Sequence, residues 1–343
     1  MYSFKCDYGE GAHPRILRAL QRTNLEQTEG YLLDPYTQKA SGLIKERIGR
    51  QEVDIHLLMG GTQTNLVALS AFLRPHQAVI CADSGHIFVH ETGAIEATGH
   101  KVFALPSPDG KLTPAQVKQA VELHTDEHMV KPKVVFLSNP TEVGTIYTKK
   151  ELAAMRGVCD EYGLFLYIDG ARLGCALTCR ENDMTLRDFA AFPDAFYIGG
   201  TKNGAFMGEA LVIANDRLKE DFRYLMKQKG ALMAKGRFLG IQFCELFSDD
   251  LYFSLARHAN DTAAVIRSAL KENGYSLMTD SPTNQLFPIF PKEVLTRLED
   301  KYLFTPWKEL SDGRAAVRIV TSWATPMEQV QKFAQDLEKA NKK

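Results

Sequence analysis

Lys202 follows the apolar run Ala195-Phe196-Tyr197-Ile198 and lies among small residues, in Gly199-Gly200-Thr201-Lys202-Asn203-Gly204. There the backbone is free to turn tightly. Upstream, a second apolar run, Leu164-Phe165-Leu166-Tyr167-Ile168, ends in Asp169-Gly170-Ala171-Arg172. An amine and a carboxylate at the C-terminal ends of neighbouring buried strands suit a pyridoxal phosphate site. The lysine forms a Schiff base with the aldehyde, and the carboxylate pairs with the protonated pyridine nitrogen. That pairing makes the ring an electron sink, so these residues point to an enzyme.

Five further groups have both a plain and a chemical interpretation. Gly60-Gly61-Thr62-Gln63-Thr64-Asn65 lies between a strand-like and a helix-like run. Free amides at a helix start bind phosphate, glycine permits close approach, and the Thr62 hydroxyl adds a donor. A simple cap is the plain alternative, and the segment matches neither GxxxxGK[ST] nor GxGxxG. His86, in Ser84-Gly85-His86-Ile87-Phe88-Val89-His90-Glu91, is either an exposed loop or capping histidine or a ring that stacks on a cofactor and handles a proton. Glu91 could orient His86 or His90. Arg172 either pairs with Asp169 or holds a substrate carboxylate with its planar fork. Arg318, in Ala316-Val317-Arg318-Ile319-Val320, sits where a strand would bury it, which requires a fixed anion or an internal acid. Lys229, Lys235 and Arg237 read as a solvated helix face, from which one could reach a neighbouring subunit's phosphate.

The elements that must position these groups alternate through the first two-thirds of the chain. Strands are predicted at 54–59, 78–82, 102–105, 134–137, 164–168, 195–198 and 210–213. Helices are predicted at 63–72, 91–98, 113–122 and 149–162. Short apolar strands separated by helices indicate an α/β fold with a mostly parallel sheet covered on both faces, and ligands there bind at the carboxyl ends of the strands. A long helical pattern over 217–247 leads out of this domain. A helix at 255–272, strands at 274–278, 284–290 and 317–320, and a helix from 326 make a smaller α+β unit. The expected division is 1–235 for the large domain and 236–343 for the small one.

In that order, the glycine-threonine turn, the histidine after a strand, the strand-end Asp with Arg, the glycine-flanked lysine and the late arginine resemble the threonine aldolase and β-eliminating lyase family of fold-type I pyridoxal phosphate enzymes. The similarity covers nearly the whole chain and includes Thr141-Glu142-Val143-Gly144-Thr145-Ile146-Tyr147-Thr148. It implies that Lys202 is the Schiff-base lysine, with Thr201 beside it, and that Asp169 is the pyridinium partner. Gly61 and Thr62 would hold phosphate. His86 would stack on the ring and take the β-hydroxyl proton, directly or through water. Arg172 and Arg318 would bind the substrate carboxylate. The implied reaction is retro-aldol cleavage of threonine or allo-threonine to glycine and an aldehyde. The same scaffold could instead run β-elimination or transamination, or bind ligand without turnover. A homodimer or homotetramer with shared active sites is also implied. Three departures stand out: Thr201 where many members have serine, Cys6 near an expected serine, and no histidine in Ser138-Asn139-Pro140-Thr141.

Composition fits an ordinary soluble enzyme. The 343 residues are 45% hydrophobic and 24% charged, with net charge −1, so nothing favours nucleic acid or an anionic membrane. No apolar run approaches the ~20 residues that span a bilayer. The first residues lack the apolar core of a signal peptide, which makes the cytoplasm the expected location. The six cysteines form no CxxC pair, and Cys175 and Cys179 have no histidine cluster beside them, so reduced thiols and no metal are expected.

Overall fold

The computed structural model describes residues 1–341. At its centre is a seven-stranded sheet of β1 (Asp54–Leu58), β2 (Gln77–Ala82), β3 (Lys101–Leu105), β4 (Lys131–Ser138), β5 (Phe165–Asp169), β6 (Ala195–Gly199) and β7 (Glu209–Ile213). The spatial order is β1-β7-β6-β5-β4-β2-β3. β7 runs antiparallel to β1 and β6, and every other neighbouring pair is parallel. β5, β6 and β7 are buried at every residue, as in a sheet covered on both faces.

The helices used below are α1 (Pro14–Thr23), α2 (Pro35–Ile48), α3 (Gly61–Phe72), α4 (His86–Val89), α5 (Pro114–Glu122), α6 (Lys149–Tyr162), α7 (Leu173–Thr178), α8 (Arg237–Phe247), α9 (Leu251–Glu272) and α10 (Met327–Asn341). α5 and α6 start where the sequence predicts because Thr113 with Gln116, and Thr148 with Glu151, form complete capping boxes.

Two helical expectations fail for local reasons. Residues 91–98 are not one helix. Thr92 and Gly93 take left-handed φ values of 52° and 70°, and Glu91 turns inward, leaving only a 3-10 turn at Glu96–Thr98. The 217–247 pattern is likewise interrupted: a short helix, Phe222–Gln228, ends before Gly230 at φ 69°, and α8 starts afresh.

Two hydrophobic cores divide the molecule. The larger draws on residues from Ala12 to Leu255, and includes Leu239, Phe243 and Phe247 of α8, which packs on α1 and α2. The smaller joins Phe4 to Ala263, Ile266 and Leu270 of α9 and to Val330, Phe333 and Leu337 of α10. The two cores meet within α9, which gives Leu255 to the larger and Ala263, Ile266 and Leu270 to the smaller, and the N-terminal strand Tyr2–Ser3 pairs with Tyr302–Leu303.

The sheet of the smaller unit contains β8 (Gln285–Leu286), β9 (Ile289–Phe290), β10 (Thr305–Glu309) and β11 (Ala315–Val320), with β11 antiparallel to the other three. Pro288, which has no amide to donate, splits the strand expected over 284–290. The one expected over 274–278 shrinks to a bridge between Leu277 and Pro288. Among the described residues no helix is long and apolar enough to cross a membrane.

Candidate active site

The sheet register gathers the chemically able residues on one edge. Ser138 at the end of β4 lies opposite Asp169 at the end of β5, and Glu209 at the start of β7 lies opposite both Gly199 and Leu58. The segments leaving these strand ends carry Lys202, Arg172, Gly61 and, after β2, His86.

Asp169 is 5% exposed, and its carboxylate receives three hydrogen bonds. The Tyr197 hydroxyl donates to Oδ1 at 2.5 Å, the Ala171 amide to the same oxygen at 2.9 Å, and Asn65 Nδ2 to Oδ2 at 3.1 Å. Tyr167 fixes the Asn65 amide by donating to its Oδ1 at 2.9 Å. Asn65 Nδ2 also donates to Glu91 Oε1 at 2.7 Å, and the same oxygen bonds His86 Nδ1 at 2.8 Å. A continuous polar chain thus links α3, β5 and α4. Burial opposes a charge on His86, but the Glu91 hydrogen bond and the charges of Asp169 and Glu91 outweigh it, so its pKa lies above the usual value.

Lys202 lies in the tight connection from β6 to β7. Gly204, at φ 91°, permits the turn, and the amides of Gly200 and Thr201 both donate to the Gly208 carbonyl. The Thr201 hydroxyl is engaged within the turn: it donates to Glu209 Oε1 at 2.7 Å and accepts from the Gly208 amide at 3.0 Å. Gly200 N–H donates to Glu209 Oε2 at 3.1 Å. Burial pushes Glu209 up to about 8. Burial, and after it the Arg172 cation, lowers the pKa of Lys202 against the opposing pull of Asp7, Asp169 and Glu209. The balance shifts Lys202 toward the neutral amine.

Arg172 pairs with neither Asp169 nor open space alone. Its Nε and Nη2 grip Asp7 at 2.6 and 3.1 Å, and Asn284 Nδ2 donates to Asp7 Oδ2 at 3.0 Å. The Asp169 pairing allowed by the sequence is replaced by this fork, because the N-terminal segment folds over the sheet edge. Arg172 Nη1 makes no hydrogen bond among the described residues. Arg318 has no acidic partner among them: Nη2 reaches the Lys5 carbonyl at 3.4 Å, the guanidinium lies 5.9 Å from the Trp307 ring centroid, and buried Nε has no acceptor. Burial, then the Arg172 charge, lowers its pKa. Arg318, with no acidic partner among the described residues, beside the Asp7-paired Arg172 makes an anion-receptive corner.

α3 begins at Gly61 with no side-chain cap, and Thr62 is exposed on its first turn. A Cβ at Gly61 would stand 3.1 Å from the Tyr197 hydroxyl, a tight contact that glycine avoids where this turn approaches the Asp169 network. Arg237 instead turns inward to the Thr23 and Glu26 carbonyls. Among the described residues no cluster could hold a metal, and all six cysteines are free thiols. Asp7, Asn284, Glu142 and Glu209 belong to the site without having been singled out individually from sequence. Asp7 carries no local signal, whereas Glu209 could have been suspected as an acid opening an apolar strand.

A family model described as Beta-eliminating lyase matches residues 13–340. The low specificity L-threonine aldolase of Pseudomonas aeruginosa is 33% identical, over 97% of this chain and 96% of its own length. The structure of a Leishmania major threonine aldolase is 48% identical, covers 99% of this chain and 100% of its own, and superposes with a TM-score of 0.98. Aspartate aminotransferase of Thermus thermophilus, 15% identical over 99% of this chain and 91% of its own, has a TM-score of 0.75 and shares the fold alone.

Proposed function

Because this chain belongs to the beta-eliminating lyase family and has the fold of type I pyridoxal phosphate enzymes, we propose that it cleaves threonine-like β-hydroxy-α-amino acids to glycine and an aldehyde. The observation that carries this reading is the meeting of Lys202, Asp169 and His86 on one sheet edge, each within reach of the others' charge.

The donor set fits pyridoxal phosphate. The uncapped amides of Gly61 and Thr62 suit its phosphate, and the missing side chain at Gly61 beside Tyr197 leaves room for it. Lys202 suits its aldehyde, and Asp169 its ring nitrogen. Thr201 supports the lysine turn. When bound, the cofactor supplies an aldehyde for the substrate amine and a ring that withdraws electrons from the bond being broken.

The chain's own residues do the rest. Lys202, shifted toward the neutral amine, offers a lone pair for covalent attachment and afterwards carries a proton. Asp169, oriented by its three donors, holds a proton at the ring nitrogen. Arg172 Nη1 and the unpaired Arg318 bind the substrate carboxylate, and an anion between them relieves their mutual repulsion. His86 offers a flat face for the ring. Its Nδ1 is tied to Glu91 and its pKa is raised, so the ring holds its proton more firmly and the neutral form that could accept the hydroxyl proton is less populated.

A homodimer or homotetramer in the cytoplasm completes the proposal. Leu25 and Tyr224, 92% and 78% exposed, are apolar surface that an assembly would cover. The test is to incubate the purified, cofactor-loaded protein with L-threonine. Glycine and acetaldehyde are expected; 2-oxobutanoate with ammonia, or a pyridoxamine form, would replace the aldolase by an eliminating lyase or an aminotransferase.

A further inference from the structure

Glu142 is an acidic side chain on this edge that the scheme above leaves without a task. It sits in the turn that leaves β4, and that turn is fastened on every side. Gly144 N–H donates to the Thr141 carbonyl at 2.9 Å and Thr141 N–H to the Thr145 carbonyl at 2.8 Å. The Thr145 hydroxyl donates to the Asp109 carbonyl at 2.7 Å, and the hydroxyls of Ser281 and Thr283 both donate to the Gly144 carbonyl at 3.1 Å. The carboxylate is therefore aimed by the surrounding structure.

One of its oxygens is an anchor. Oε1 accepts the His86 amide at 2.7 Å and the Ser138 hydroxyl at 2.6 Å. No side chain or amide of another described residue donates to the other, Oε2; the remaining donor beside the carboxylate is the Glu142 amide itself. Ser138 is the register partner of Asp169, so the free oxygen belongs to the same strand-end cluster as Asp169 and His86.

We propose that Glu142 Oε2 takes the β-hydroxyl proton of the substrate. The assignment rests on the threonine-cleaving reading and adds its missing base. The O–H proton passes to Oε2, and the O–H electron pair becomes the second C–O bond of the aldehyde. The Cα–Cβ bond breaks with its pair left on the Cα fragment, and one proton returned to Cα gives glycine, so atoms and charge balance. Burial, and among the charges Asp169, raise the proton affinity of Glu142, which makes it a stronger base than a solvated carboxylate. With His86 drawn toward its cationic form by Glu91, the two neighbours divide the work.

The experiment compares wild type with Glu142→Gln as cofactor-loaded proteins. The variant should lower kcat for L-threonine by about 100-fold or more at nearly unchanged KM. Glycine, which has no hydroxyl, should keep its Kd in a spectral titration of the cofactor band and its exchange of the α-proton in deuterium oxide. Threonine turnover within about threefold of wild type overturns the assignment. So does a parallel loss of glycine binding and exchange, which would reduce Glu142 to a support for the His86 segment. Should Glu142→Gln fail to fold, Glu142→Asp decides: a deficit confined to hydroxylated substrates supports the base, and an equal deficit with glycine removes it. Wild type that binds cofactor yet forms no acetaldehyde defeats the parent reading instead, an outcome distinct from a defect of the variant.

Discussion

Lys202 shows how much one side chain's chemistry depends on its surroundings. A solvated lysine is cationic at neutral pH and a poor nucleophile, whereas burial, with Arg172 nearby, favours the neutral amine here. Lys202→Ala should abolish the visible band of the covalently attached cofactor while leaving the far-ultraviolet circular dichroism unchanged; a band of normal strength would move the attachment elsewhere. Lys202 and Asp169 could be picked out from sequence because each ends a run of apolar residues, and a charged group there must have a partner. The same logic found Arg318 but gave no means of choosing between an acid and a ligand. Among the described residues the structure supplies no acid for it, only the Lys5 carbonyl and the Trp307 face.

At the scale of elements, local chemistry sets most boundaries. Thr148 caps α6 through the Glu151 amide, and Glu151 answers with Oε2 on the Thr148 amide at 2.8 Å. Thr148→Ala should cost about 1 kcal/mol in urea-monitored unfolding, with the cofactor band intact. The strands of the main sheet were legible because burial on both faces makes them continuously apolar, a pattern that survives without knowledge of the fold. α1 and α2 fall outside the sequence expectations even though Asp34, Pro35 and Gly49 mark the start and stop of α2. The break between 228 and 237 was hidden for a different reason. The backbone turns at left-handed Gly230 and stays out of helix until Arg237, a break that the apolar spacing does not mark.

For the molecule as a whole, Asp7 ties the N-terminal segment to both units. It bonds Arg172 beside the main sheet and Asn284 next to β8, and it is 1% exposed. Its pKa lies below the ordinary carboxylate value: burial raises it, but the charges of Arg172 and Lys202 and the hydrogen bonds prevail. A depressed pKa stabilises the fold above the unfolded-state value of 3.8 and is lost as pH falls below it, so Asp7 contributes to acid sensitivity. Asp7→Asn leaves Arg172 buried without a counter-charge and should cost about 3 kcal/mol at neutral pH. The gap from wild type should narrow as an acid titration of unfolding passes below 3.8; a constant gap would remove the ion pair as its cause. The amino-acid order by itself determined which residues end buried strands, which turns need glycine, and the family that their succession resembles, because those signals act over a few neighbouring positions. Tertiary structure alone decided that Arg172 meets an acid 165 positions away, that Glu142 is fastened beneath His86, and that one long helix serves two cores. Such pairings are set by sheet register and packing, and no local pattern records them.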